Sequence, residues 1–296
     1  MKISLQLRAA LLSLLMLLLL LGIWQVASQP HHNARVATAV TAEQAEYAAL
    51  MGNAPAAAGT ADGAAADSKI EGFPTPRQFF AVALKQLRDP FYDHGPNDKG
   101  VGIQLGYSLL RVALGFLAAL VVALPLGFMI GMAPLLSRSL NPFIQVLKPI
   151  SPLAWMPIAL YTIKDASASG IFVIFICSIW PMLINTAFGV AGVRKDWLNV
   201  ARTLEVSPLR KAFLVILPAA APTIITGMRI SMGIAWLVIV AAEMLIGGTG
   251  IGYFLWNEWN NLSLANVIFA VLLIGLVGMA LDMLFAQLQK KVTYAE

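Results

Sequence analysis

The chain has 296 residues, of which 59% are hydrophobic and 12% charged, about half the charged share usual in a soluble domain. That balance excludes an ordinary water-soluble globule and makes an integral membrane protein the expectation. The formal charge of +5 is no sign of nucleic-acid binding, because no basic cluster is interleaved with aromatics; the lone Cys177 excludes an intrachain disulfide.

Lys2 and Arg8 precede an apolar run over 9–27. A short basic start before about 19 apolar residues fits a signal peptide or a first membrane anchor. Ala27-Ser28-Gln29 is a poor small-residue cleavage site, so residues 1–29 read as a retained anchor with the N-terminus inside. Residues 30–72 change character, and 37–67 is rich in Ala, Gly, Asp and Glu with little hydrophobic bulk or pattern, the composition of a low-complexity linker that stays largely disordered. His31-His32 has no further ligands nearby and reads as a plain surface pair rather than a metal site. Segment 75–89 is amphipathic, with Thr75 as N-cap and Pro76 at the first helical position. Phe79, Phe80, Val82, Ala83 and Leu87 share a face, with Lys85 and Arg88 off it. This pattern predicts a helix lying on the membrane surface or on the protein's outer face. The turn-rich segment 89–100 follows, so 73–103 forms an outer helix and loop ahead of the core.

Five further apolar runs lie near 104–131, 143–163, 170–193, 222–246 and 264–288, giving an all-α integral membrane fold of six transmembrane helices with a tail at 289–296. Pro149, Pro152 and Pro157 interrupt the run at 143–163, and Pro181 lies in the next. Prolines inside spans are tolerated where protein or water satisfies the freed carbonyls, so 149–157 is expected to be kinked and protein-buried, either lining a pathway or simply packing. With the N-terminus inside, Arg138, Lys290, Lys291 and the bases of 194–211 fall on the cytoplasmic side. Asp62, Asp67, Glu71, Asp89, Asp93, Asp98, Asp165 and Glu258 fall outside, as the positive-inside rule expects of short loops.

Segment 194–218 is the one long polar break in the apolar part, with Arg194, Lys195, Arg202, Arg210 and Lys211 against Asp196 and Glu205. Asp196 is placed to cap a short helix with Leu198, Ala201 and Leu204 on one face. Ser207-Pro208 starts a second helix that ends before Pro218. The result is a cytoplasmic helix–turn–helix, either a handle for a soluble partner or an ordinary interfacial loop.

These residues resemble the cytoplasmic loop of ABC importer permeases, E-A-A-x-x-x-G followed nine residues later by I-x-L-P. Ala201 matches the second Ala, and Val215-Ile216-Leu217-Pro218 holds the I-x-L-P register. Asn199 and Val200 replace Glu and Ala, and Glu205 stands where the family's turn has Gly, so the turn must be strained or the first helix extended. From about 73 to 288 the chain is similar to the nitrate/sulfonate/taurine permease group, most of all its nitrate branch. FYDHGPNDKG (91–100), PISPLAWMPIAL (149–160), ASGIFVIFICSIWPMLINTAFGV (168–190) and GMRISMGIAWLVIVAAEMLIGGTGIGYFLW (227–256) carry the resemblance. It implies a type I ABC importer permease with core 104–288, paired with a second copy in a bacterial inner membrane and with both termini cytoplasmic. ABC ATPase subunits would dock on Val200, Ala201, Arg202, Thr203, Leu204, Glu205, Val206 and Ser207, and a periplasmic or lipid-anchored binding protein would deliver the anion.

No GxxxxGK[ST] nucleotide loop, HExxH, GxSxG or metal-ligand cluster is present, so no catalytic residue, cofactor or metal is expected. Gly247, Gly248, Gly250 and Gly252 fit turn chemistry near the outer mouth. Charges inside spans are functional candidates by default. They are Arg111, Lys148, Arg229, Glu243 and Asp282, with Lys148 and Asp282 near inner span ends, where they can snorkel. Arg111 and Arg229 have a structural alternative in bonds to backbone carbonyls, and Glu243 could pair with an arginine of either subunit. Trp155, Asn185, Thr186, Ser231 and Trp236 join Arg111, Arg229 and Glu243 as pathway candidates, because a small anion needs donors weak enough to release it. The expected function is ATP-driven import of a small inorganic anion, nitrate first and nitrite possible. Bicarbonate, cyanate or sulfonate/taurine import is the alternative, with an intramembrane enzyme as a remote one.

Overall fold

The computed structural model describes residues 5–27, 73–95 and 98–292. The linker 30–72, with His31 and His32, lies outside the described residues, as do residues 293–296 of the C-terminal tail. The chain divides into two compact units, Met1–Ala81 and Val82–Glu296.

In the first unit, α1 (Leu5–Ala27) is an apolar helix whose Leu-rich run is exposed. Such a helix is stable only inside protein or lipid. Trp24 donates its indole N–H to the Pro74 carbonyl at 2.9 Å. Its ring packs against Phe73 and Phe79 at centroid distances of 6.2 and 5.6 Å. The helix α2 (Pro76–Arg88) begins where Thr75-Pro76 predicts. Gln78 closes a reciprocal cap, its Oε1 accepting from Thr75 N at 2.8 Å while Thr75 Oγ1 accepts from Gln78 N at 3.4 Å. Of the expected apolar face only Phe79 is buried, while Phe80 and Leu87 are exposed.

In the second unit, a small antiparallel ribbon of β1 (Asp93–Gly95) and β2 (Asp98–Lys99) leads into the long helix α3 (Val101–Met132). The helices α4 (Pro134–Leu147) and α5 (Pro152–Ile163) meet at a 93° bend. The run expected as one span at 143–163 is therefore two helices. The break spans 148–151, because Pro149 and Pro152 disfavour helix in the residues before them, while Pro157 is carried inside α5. Lys148 lies at this break rather than at a span end. The chain continues through α6 (Ala166–Ala191), the loop helices α7 (Lys195–Thr203) and α8 (Pro208–Lys211), α9 (Leu217–Ile246), α10 (Ile251–Asn260) and α11 (Leu264–Val292). Among the described residues four helical stretches are long and apolar enough to cross a membrane, or five if the α4–α5 pair is one broken span.

The core is the triple contact of α3, α6 and α9, and glycine makes it close. A Cβ on Gly115 or Gly127 of α3 would stand 2.7 Å from side-chain atoms of Ile174 or Thr186 on α6. On α9 a Cβ at Gly227 would stand 2.6 Å from that of Asn185. Small residues let helix backbones approach where lipid supplies no hydrophobic drive. At one end, Val190, Val193, Ile216, Ala220 and Ile224 form a buried cluster against which Leu124, Phe128 and Leu198 pack. At the other end Glu258, half-buried on α10, accepts a hydrogen bond from Asn266 of α11 at 2.7 Å, and burial pushes its carboxyl above the usual range.

The Trp24 clasp joins the two sides of the linker at one point. Replacing 30–72 with a short Gly-Ser bridge is therefore expected to leave yield and thermal stability of the extracted protein unchanged. A fall in either would mean that the linker carries a stabilising contact.

Candidate coupling loop and intramembrane polar sites

Loop 194–218 is built on two anchors. Leu198 packs on the buried cluster, and Ala201 is 4% exposed. Around them Val200, Arg202, Thr203, Leu204, Glu205 and Ser207 face outward, with Val206 half-buried. Leu204, expected on the inner face with Ala201, is 70% exposed; it follows the last helical residue, where the chain has left the helical register. Asp196 does not cap α7. Arg194 holds the cap position, and Asp196 sits in the first turn, where its charge suits the helix dipole, 3.7 Å from Arg194.

The turn after α7 carries the main departure from the family pattern. Val206 N donates to Ala201 O at 3.1 Å and Glu205 N to Arg202 O at 3.0 Å. This pair of bonds is the Schellman closure, whose residue after the cap is left-handed and usually Gly. Here that residue is Glu205, with φ 47°. Of the two ways a Glu could be accommodated, the chain takes the strained turn.

Ser207 and Pro208 start the second helix as expected, although no side chain caps it. It does not stop before Pro218. The helix widens into a π-turn at Ala212–Ile216, with Leu217 N bonded to Ala212 O, and runs on as α9. A proline ring collides with the carbonyl four residues earlier in a regular α-helix. The π-turn holds that carbonyl, Leu214, in a wider coil, so Pro218 fits without ending the helix. Loop and span thus form one stretch, Pro208–Ile246.

Two ion pairs lie within the apolar helices. Glu243 of α9 is 1% exposed. Its carboxylate accepts from Arg111 Nη1 at 2.8 Å, Ser108 Oγ at 2.8 Å and Gly252 N at 3.1 Å. Arg111 also donates to Thr249 O at 2.6 Å and Ser167 Oγ at 3.0 Å. A Cβ at Gly250 would collide with the Glu243 carboxylate, and one at Gly252 with the Val240 carbonyl. The glycine cluster thus lets the 247–252 turn close over a buried charge. Ser108, Thr249 and Ser167 were missed in the sequence; Ser108, three residues before Arg111 on the same helix face, was the available signal.

The second pair joins Arg229 of α9 to Asp282 of α11 through two bonds of 2.5 and 2.6 Å. Both side chains are partly exposed, at 37% and 52%. Asp282 therefore pairs across helices instead of snorkelling, and Arg229 bonds a carboxylate rather than backbone carbonyls. Beside them Trp236 donates its indole N–H to Ile274 O at 2.9 Å. Ser231 Oγ donates to Ser178 O at 2.7 Å, Thr186 Oγ1 to Met182 O at 2.7 Å, and Asn185 Nδ2 to Pro181 O at 2.8 Å. Trp155 is half-buried on α5. The structure brings Arg111 together with Glu243, and Arg229 near Trp236, but does not gather the eight pathway candidates into one site.

A bundle of apolar spans, one ion pair buried inside it, a second on its α9–α11 face and a basic helix–turn–helix whose second helix continues into a span describe a multi-span membrane protein. Residues 123–294 match the family described as the binding-protein-dependent transport system inner membrane component, and the chain belongs to that family of ABC transporter permeases. It is 47% identical over 223 residues to the nitrate import permease protein NrtB of Synechocystis sp., covering 75% of this chain and 81% of that protein. It is 44% identical over 206 residues to NrtB of Synechococcus elongatus, covering 69% and 74%. The bicarbonate transport system permease protein CmpB of Synechocystis sp. is 45% identical over 205 residues, covering 69% and 73%. An inward-facing structure of the MetNI methionine ABC transporter shares the fold with TM-score 0.58 at 12% identity, covering 64% of this chain and 94% of that chain. Membership makes the chain a transport component rather than an enzyme and implies ATPase and substrate-binding partners.

Two outcomes are expected. Glu205→Gly removes the left-handed strain and should stabilise the loop by about 1 kcal/mol, read as greater protease protection of 194–218, with ATPase subunits still captured in a pull-down. Lost capture would make the Glu205 carboxylate a docking contact. Glu243→Ala leaves Arg111 unpaired and should cost about 3–5 kcal/mol, read as a lower thermal midpoint in detergent. Unchanged stability would mean that water or another acid replaces the carboxylate.

Proposed function

We propose that this chain is the permease subunit of an ATP-driven importer of nitrate. The observation that carries the reading is the 47% identity to a nitrate import permease over three quarters of the chain. The 45% identity to a bicarbonate permease keeps bicarbonate as the second reading.

Six spans follow if α1 is the first, the α4–α5 pair the third and Pro208–Ile246 the fifth. The ends of these helices segregate charge. Arg138, the bases of 194–211, Lys290 and Lys291 lie at the loop end, while Asp89, Asp93, Asp98, Asp165 and Glu258 lie at the end where 247–252 closes over Glu243. The positive-inside rule then puts the loop and both termini in the cytoplasm of a bacterial inner membrane. ATPase subunits press on Val200 to Ser207, and the continuous helix carries that displacement into α9. A second copy completes the passage, and a periplasmic or lipid-anchored binding protein delivers the anion on the opposite side.

Within the passage Arg229 is the leading candidate. Asp282 neutralises most of its charge, which suits an anion that must leave as readily as it enters. Asn185 and Trp155 are the further candidates with partly accessible side chains. Arg111, Glu243, Thr186, Ser231 and Trp236 act mainly by holding the helices that shape it.

Uptake of labelled nitrate by cells carrying the complete transporter, competed with nitrite, bicarbonate and cyanate, tests the reading. Nitrate is expected to compete best, and Arg229→Gln to lower uptake at least tenfold with the complex assembled. Bicarbonate as the stronger competitor would transfer the assignment to the second reading.

A further inference from the structure

A cleft of about 30 Å³ opens between α9 and α11 on the face that carries the Arg229–Asp282 pair. Arg229, Gly233 and Trp236 line it from α9, and Gly278 and Asp282 from α11. Its two glycines keep it open in different ways. A Cβ on Gly233 would meet nothing within 4 Å, so empty space stands beside that backbone. A Cβ on Gly278 would stand 3.1 Å from Cδ1 of Trp236, so the missing side chain lets the indole lie against α11, where Ile274 O takes its N–H.

Size and chemistry together restrict the occupant. One water needs about 10–15 Å³ of such space, so the cleft admits about two or three water-sized groups. An acyl chain or a partner's side chain would enter only by its tip. Asp282 accepts from Nε and Nη2 of Arg229 through its two oxygens. A guanidinium carries five N–H donors, so three, all on Nη1 and Nη2, are left without a partner among the described residues. Two of these run parallel along the outer edge of the guanidinium, the geometry that receives two coplanar oxygens. A cation would find the carboxylate already neutralised, whereas a small planar acceptor finds two parallel donors. A sulfonate is tetrahedral and carries atoms out of that plane, which so small a volume does not admit.

We propose that this cleft is a subsite for one small planar oxyanion, with two of its oxygens on the free edge of Arg229 and its body in the space that Gly233 and Gly278 leave. The glycines then set the size and shape limit of the transported anion, and Asp282 keeps the hold weak enough for release. This rests on the importer reading above and adds to it the residues that decide which anions pass. Nitrate and bicarbonate both meet the limit, so the subsite separates planar oxyanions from sulfonates rather than one planar anion from another.

The test uses the complete transporter with its ATPase subunits and compares two methyl groups. Gly233→Ala puts a methyl into the cleft without touching any neighbour. Gly275→Ala on α11 also meets nothing within 4 Å but lies off the cleft, and serves as the control. Gly233→Ala is expected to raise the KM for nitrate uptake about tenfold with the ATPase subunits still bound, and Gly275→Ala to leave it unchanged. Arg229→Lys, which keeps a charge opposite Asp282 but has no flat edge, should raise the KM as well. Binding is read separately from transport by titrating sodium nitrate against the thermal midpoint of the extracted complex. General salt effects are common to all variants, so nitrate should raise the midpoint of the wild type and of Gly275→Ala relative to that of Gly233→Ala. Equal KM values for the two glycine variants would overturn the proposal. Equal nitrate shifts would overturn it too and leave the cleft to water. Uptake of a sulfonate at the nitrate rate would overturn the size limit. A wild type that moves bicarbonate and not nitrate would overturn the nitrate reading alone, and the same variants then judge the cleft with bicarbonate as the anion.

Discussion

The bond between Arg111 and Glu243 is the constraint around which the rest of the molecule is arranged. A carboxylate inside a membrane bundle has no water to fall back on, and an unpaired charge there is costly. Here three donors from two parts of the chain surround it, and Arg111 gives two further donors to Thr249 O and Ser167 Oγ. Satisfying this one group therefore fixes α3, the start of α6, the end of α9 and the turn before α10 relative to one another. The turn can close only because Gly250 and Gly252 carry no side chain. Further along the same helices, Gly115, Gly127 and Gly227 allow the close approach that keeps them in register. The polar cluster locks one end, and the small residues carry that alignment through the span to the other.

At the loop end, on the docking of ATPase subunits proposed above, the structure would serve transmission rather than locking. Leu198 and Ala201 root α7 in the buried cluster, yet the remaining surface of α7 is exposed. Beyond the turn at Leu204–Ser207, the route into the bundle is a helix that does not break between Pro208 and Ile246. Two features that usually end helices, Ser-Pro and Leu-Pro, occur within eleven residues of each other at 207–218. The first starts the helix and the second is absorbed by the π-turn. A break at Pro218 would have made a hinge that dissipates displacement. A continuous helix passes it on, and the π-turn leaves one place where the coil can tighten or slip by a residue.

The apolar runs, the helix start at Thr75-Pro76, the loop's two helices and the family itself were legible because each depends on local chemistry or on a long collinear pattern. Four readings were not legible, and each failed for a tertiary reason. Asp196 is a good capping residue in isolation, but the cap position was taken by Arg194 once Leu198 had to face the core. Pro218 ends a helix only if no π-turn precedes it. An arginine partner for Glu243 was expected but not which one, and that partner and Asp282, the partner of Arg229, lie 132 and 53 residues away in sequence, so that helical facing, which sequence does not fix, decides the pairings. The run at 143–163 gave its prolines but not the 93° bend they produce.

The two ion pairs answer the same physical problem in different ways. Glu243 is enclosed, with its acceptors taken by donors of its own subunit, so it has nothing left to offer a solute. Arg229 and Asp282 satisfy each other through two bonds, but both remain partly exposed on the α9–α11 face. Lipid tails are no tolerable neighbour for such a pair. The face that carries it therefore belongs against water or against another polypeptide. On the nitrate reading proposed above, the mutual neutralisation that makes the pair tolerable would also make it a weak anion contact, which serves a transporter that must release its cargo on every cycle better than a bare guanidinium.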